Sequence, residues 1–226
     1  AIDLSSVDFI LQLQTCAESS DGDHIWSQKH PLYDTVTALT NNQGVQLLSV
    51  QALRRKTINN KVLEHFGFSD GISQPSINGS GVARDKISNG ELFLGHENNK
   101  KDTVDQSIRN DDILDNGSFM VLRKLAQDVG LYQQKIKKHM ANRHNKISQE
   151  ELEAKLMGRY PDGRTPMAPD QDDHYNDFDY NQDANGAVCP LQSHARRSNP
   201  RSTDSTGKPL PGARIMRRGF SYGDRY

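Results

Sequence analysis

Cysteine is nearly missing from this chain. Its two copies, Cys16 and Cys189, lie far apart. Two cysteines make no disulfide framework, so packing and hydrogen bonds must hold the fold, and the redox compartment stays open. Tryptophan occurs once, and hydrophobic residues make up only 34% of the 226 positions, a polar but foldable composition that predicts long loops. No apolar run approaches the roughly 20 residues needed to cross a bilayer, so no membrane-spanning helix is read. Neither charge sign dominates: 28 Lys and Arg face 29 Asp and Glu, and a net charge of −1 gives no electrostatic case for nucleic acid as the main partner. The opening AIDLSSVDFILQLQ has no basic stretch before an apolar core, so it is not a signal peptide. Both ends read as cut, which predicts a piece of a longer protein.

What is present alternates without strict βαβ order, which predicts an α+β fold. Strands are expected at Val7 to Thr15, Gly44 to Leu53, Gly90 to Gly95 and, most clearly, Gly117 to Leu125 (GSFMVLRKL). Helices are expected at Pro31 to Leu39 and at Asp128 to His144, whose lysine-rich face is most simply solvated. A third is expected over Ser148 to Met157, opened by the capping box Ser148-Gln149-Glu150-Glu151 and ended by Gly158. Pro161 to Gly186 reads as a long Asp-, Asn- and Pro-rich loop, a length that a compact domain rarely holds without a job for it.

Two stretches are dense in chemistry. The first, Glu64 to Pro75 (EHFGFSDGISQP), sets Asp70 between two glycines, Gly67 and Gly71, just after apolar Phe66 and Phe68. Glycines on both sides permit φ > 0 or a close backbone approach, which holds one carboxylate at a fixed point against something bulky. The second runs from Cys189 (CPLQSHARRSNPR) and resumes at Ala213 (ARIMRRGFSYG). It places His194 ahead of Arg196, Arg197 and Arg201, then Arg217 and Arg218 before a glycine and aromatics. A single His among arginines is a poor cation site but suits a neutral imidazole beside a carboxylate-bearing cofactor. Haem fits, because its iron takes a His and its propionates want Arg.

Taken together these stretches resemble the dye-decolorizing peroxidases, a haem family of the dimeric α+β barrel superfamily. GFSDG matches the family's GxxDG motif, and H-x-R-R-x-N-P-R and R-I-x-R-R-G follow in order. GSFMVLRKL resembles one of its strands, and Lys155-Leu156-Met157-Gly158-Arg159 the end of one of its helices. The resemblance implies ferredoxin-like antiparallel sheets with helices. Residues 1–75 would be the later part of a first ferredoxin-like domain, and 76–226 a second, haem-binding one. It implies Asp70 as the distal acid, Arg217 as the distal arginine and His194 as the proximal ligand of a haem b iron. Arg196, Arg197, Arg201, Arg218, Phe68 and Gly71 would touch the cofactor. Hydrogen peroxide and a bulky aromatic reductant are then the implied partners, and the family's habit of associating points to a homo-oligomer. The family's usual continuation, which brings a carboxylate to the proximal imidazole, is not read in this chain.

The chemistry accounts for the residue types. Peroxide cleavage moves a proton from one oxygen to the other, work for a carboxylate. Arg stabilises the departing hydroxide without relaying protons. The alternative reading is a haem-binding or haem-handling protein without efficient turnover. A weaker one is a calcium-dependent module on residues 170–186, where Asn181 to Gly186 imitates the start of a calcium loop but Gln192 stands where the closing Glu belongs.

Overall fold

In the computed structural model the described residues are 7–8, 10–12, 31–41, 44–51, 53, 56–58, 61–77, 85–142, 146–201, 203 and 214–223. The chain divides into one unit of residues 1–55 with 220–224 and a second of 56–219 with 225–226. In the first unit the helix expected after residue 30 forms as α1, Pro31–Thr40. It buries Val36, and Asp34 in its first turn complements the helix dipole.

The second unit carries the motifs. A short antiparallel hairpin, β1 (Lys56–Ile58) and β2 (Lys61–Leu63), pairs Lys56 with Leu63, Thr57 with Val62 and Ile58 with Lys61. The chain continues from β2 straight into the GFSDG loop. Four helices follow, and three begin at a predictable cap. Asp105 accepts the Ser107 N–H at 2.8 Å to open α2, Gln106–Arg109. Asp128 accepts that of Leu131 at 2.8 Å to open α3, Val129–Met140. Ser148 accepts that of Glu151 at 3.1 Å to open α4, Gln149–Met157. Each satisfies an N–H that the helix itself leaves free. Gly158 ends α4 in the left-handed region at φ 87°, as its sequence position predicts. The last helix, α5 (His194–Ser198), is one turn that no periodicity announced.

The expected strands differ. Residues 45–50 and 117–128 form no regular element, and among the described residues the only ladder is the hairpin. The same holds for residues 7–8 and 10–12, while 9 and 13–15 lie outside the described set. A strand needs a neighbour for its backbone groups. Among the described residues segment 117–125 joins no such ladder: the Gly117 carbonyl accepts the Leu94 N–H at 2.8 Å, while Phe119 is 90% exposed. Gly90 to Gly95 is a 3-10 turn (Asn89–Glu91) rather than a strand. Its backbone crosses so close to the following loop that a Cβ on Gly90 would meet the His96 carbonyl oxygen at 2.3 Å.

The core is small and partly ionic. Phe178, Tyr180 and Cys189 are buried together, with Met167 and Tyr175 packed against them. Arg201 lies 4.0 Å from the centre of the Phe178 ring, Arg159 lies 5.5 Å from it, and Arg196 lies 4.4 Å from that of Tyr180. Cations on desolvated ring faces are attractive by about 1–2 kcal/mol each. Burial, then the charge of Arg201, pulls Arg159 down to about 10, which still leaves it charged at neutral pH.

Asp183 organises the approach to α5. Its carboxylate accepts the N–H groups of Val188 at 2.9 Å and Cys189 at 2.8 Å and pairs with Arg196 at 3.0 Å. Burial pushes its carboxyl up, but those N–H groups, that of Ala187 and the Arg196 charge outweigh burial and hold it below the usual carboxylate range. Its contribution to stability is therefore complete above the unfolded value of about 3.9 and is lost as pH falls from there through the folded value. Asp183→Asn should destabilise by about 3 kcal/mol or more, because it leaves Arg196 buried without its partner charge. Urea denaturation at pH 7 measures that loss, and the gap between the two proteins should narrow as the pH is lowered below about 4.

Candidate active site

Asp70 sits on a loop braced from several sides. The Glu64 carboxylate accepts the N–H of Phe66 at 2.9 Å and of Phe68 at 2.8 Å, closing the turn on itself, and Gln127 donates to it at 2.6 Å. Gly67 and Gly71 take φ values of 105° and 85°, the left-handed conformations that the sequence calls for. The Asp70 N–H donates to the Val62 carbonyl at 2.9 Å and that of Ser69 to Pro161 at 2.9 Å, tying the loop to the hairpin and to the turn after α4. From α3, Tyr132 stacks on Phe66 with ring centres 4.8 Å apart and meets Phe68 edge-on at 6.5 Å. Burial, then the charges of Glu153 and Glu64, pushes the Tyr132 phenol up to about 12, so it stays neutral behind the loop. Phe68 is only 4% exposed and faces this packing, so it supports the loop from behind. Gly71 lies at the surface.

Asp70 itself is exposed. Its Oδ1 accepts the N–H of Gly71 at 2.7 Å. Its Oδ2 points toward segment 214–219: a methyl built on Gly219 would stand 3.6 Å from it. That segment carries Arg217, so the structure brings the first and last motifs side by side. Ser73, Gln74 and Asp85 hold the segment. The Ser73 carbonyl accepts Arg214 Nη2 at 3.1 Å, and the Gln74 amide bonds the backbone of Arg217. Arg214 also pairs with buried Asp85 at 3.2 Å. The hydroxyl oxygen of Ser73, held at φ 66°, also accepts from Arg201 at 3.3 Å and from Asn199 at 3.5 Å. One residue of the first motif thus touches both stretches of the second.

His194 is the first residue of α5, and its side chain is exposed. Close packing fixes the start of that helix. A Cβ on Gly158 would stand 2.8 Å from Ala195 Cβ and 3.0 Å from Ser193 Oγ, so only glycine allows the two chains this near. Buried Ser193 in turn contacts the Cys189 thiol at 3.2 Å.

The arginines divide. Arg196 is buried and spends its guanidinium on Asp183, on the Cys189 carbonyl at 2.6 Å and on the Tyr180 ring. Arg201 is buried and bonds the carbonyls of Asn176 at 2.7 Å and Phe178 at 3.2 Å, as well as the Asn176 side chain. Both were expected at a cofactor; here both serve the fold, because partners distant in sequence take their donors. Among the described residues Arg197 reaches only Gln192 at 2.9 Å and Arg218 only the Met216 sulfur at 3.5 Å, and both remain exposed. Among the described residues the side chains of Arg217 and His194 have no polar partner. Asp183, central to the imitation calcium loop, is turned inward onto Arg196, and among the described residues no three His, Cys, Asp or Glu side chains converge as a metal site.

Sequence reasoning gave no role to Glu64, Ser73, Gln74, Asp85, Asn176 or Arg214. Glu64 alone left a readable signal, a carboxylate two and four positions before N–H groups of a glycine turn.

No protein-family model matches the chain. It is 31% identical over 178 residues to the multifunctional dye peroxidase DyP2 of Amycolatopsis sp., covering 73% of this chain and 37% of that protein. It is 29% identical over 180 residues to dye-decolorizing peroxidase msp1 of Mycetinis scorodonius, covering 71% of this chain and 34% of that one. A crystal structure of a decolorizing peroxidase triple mutant from Auricularia auricula-judae superposes with a TM-score of 0.61 at 25% identity, over 79% of this chain and 44% of the other. The chain therefore spans about a third of the length of the curated relatives it matches. The fold is the ferredoxin-like α+β fold of these structures, of which the described residues contribute the helices and one short hairpin.

Gly158→Ala should destabilise by about 1–3 kcal/mol, since alanine meets both a strained φ and two neighbours inside contact distance. Thermal unfolding checks the loss, and the His194 ring resonances should shift in the same variant.

Proposed function

Because this chain is related to the dye-decolorizing peroxidases, we propose that it carries the catalytic residues of a haem peroxidase that reduces hydrogen peroxide and oxidises bulky aromatic substrates. One observation carries the reading. Of the polar side chains in the two motifs, Arg196, Arg201 and Arg214 are committed to the fold, while His194, Arg217 and one oxygen of Asp70 have no polar partner among the described residues. The side chains of His194, Arg217 and Asp70 are all exposed, so their polar atoms are open to an incoming group.

That donor set fits haem b. His194 would supply an imidazole ligand for the iron, Asp70 and Arg217 a carboxylate and a guanidinium suited to peroxide, and exposed Arg197 and Arg218 cations suited to propionates. When bound, the haem would supply the redox-active iron at which peroxide is reduced. Asp70 supplies the proton path. Its Oδ1 is held by the Gly71 N–H, so Oδ2 takes the proton from one peroxide oxygen and returns it to the other, which leaves as water. Arg217 places a fixed positive charge where negative charge develops on the departing oxygen. His194 would hold the iron through a ring nitrogen.

Reconstitution with haem should give a Soret band that His194→Ala abolishes. Asp70→Asn should keep the band and lower the second-order rate constant for peroxide roughly 100-fold or more. A Soret band in the parent chain with no peroxide-dependent dye bleaching would instead favour a haem-binding protein without turnover.

A further inference from the structure

Gln74 stands just past the GxxDG loop, four residues after Asp70. Its side-chain amide faces the backbone of a single distant residue. Nε2 donates to the Arg217 carbonyl at 2.9 Å, and Oε1 accepts the Arg217 N–H at 3.1 Å. One primary amide thus supplies both bonds that a neighbouring strand would give in an antiparallel pair. The primary amides of Asn and Gln carry a donor and an acceptor side by side in one rigid plane, and Gln has the longer reach.

The place of this contact makes it more than a tether. Arg217 has an exposed side chain with no polar partner among the described residues, so its position is set by its backbone alone. Upstream, Arg214 is docked on Ser73 and Asp85; downstream, Gly219 passes beside Asp70 Oδ2. Gln74 is the contact between these two points, and it acts at the residue whose charge matters. We infer that Gln74 is a positioning residue: it clamps the Arg217 backbone so that the guanidinium is presented beside Asp70. Its consequence for peroxide chemistry rests on the function proposed above; the clamp itself does not.

Two variants separate clamping from filling space. Gln74→Met keeps the length of the side chain and removes both bonds. Gln74→Glu keeps an acceptor for the Arg217 N–H and loses the donor to its carbonyl. Residue-resolved hydrogen exchange on the whole chain reads the clamp without haem. In Gln74→Met the protection of the Arg217 amide should fall at least about tenfold, the scale of one lost hydrogen bond, while the amides of α3 and α4 keep theirs. Gln74→Glu should retain most of the Arg217 protection. Unchanged Arg217 protection in Gln74→Met overturns the proposal, as does a uniform loss through α3 and α4, which would make Gln74 a packing residue. With haem bound, Gln74→Met should lower the rate constant for peroxide about tenfold or more and leave KM for the dye unchanged. An unaltered peroxide rate despite lost protection overturns the positioning role. If the parent chain shows no peroxidase activity, the function proposed above fails, and the clamp is judged on amide exchange alone.

Discussion

The side-chain amide of Asn176 is the point on which the motif-bearing unit turns. Its oxygen accepts from both Arg159 and Arg201, and its nitrogen donates to Asp85, which also pairs with Arg214. Three cations and one carboxylate meet there in a largely buried setting. Without an amide to bridge them the arginines would repel one another with little to compensate, since Arg201 already lowers the basicity of Arg159. The Phe178 ring takes up part of the positive charge through its faces, and backbone carbonyls of Gly163, Tyr175, Asn176 and Phe178 take up more. A unit with few buried apolar side chains is thereby held by directional bonds, which specify one arrangement more sharply than packing alone.

This network decides which motif residues are available for chemistry. Arg201 and Arg214 look like Arg217 in sequence, yet they tie the segments together and Arg217 does not. Ser73 stands at the junction, with its hydroxyl near Arg201 and its carbonyl on Arg214. Asp70, three residues earlier, is therefore carried on a loop whose far end is fixed by the same cations that hold the α5 segment. Its near end is fixed by Glu64 and by Tyr132 from α3.

What could be read from sequence follows from the range of each interaction. The starts of α3 and α4, the glycine stop after α4 and the glycine conformations around Asp70 depend on neighbours within four residues, and all were legible. The exposure of Asp70 and the adjacency of its loop to the Arg217 segment could be expected only through resemblance to a family. The inward turn of Arg196 and Arg201 was not legible, because Asp183, Asn176 and Phe178 claim them across 13 to 25 positions. The strand expected at 117–125 illustrates the opposite limit. Its residues have the composition of a strand, but composition cannot supply the neighbour that makes one.

That same segment has a consequence for handling the protein. Phe119, Met120, Val121, Leu122 and Leu125 expose from 60% to 90% of their surface in one short run, an apolar stretch that invites association between molecules. Arg123 and Lys124 interrupt the run and act as gatekeepers, since like charges stacked in register repel. Colloidal behaviour should then depend on two cations that have no part in the proposed chemistry, and on how strongly the buffer screens them.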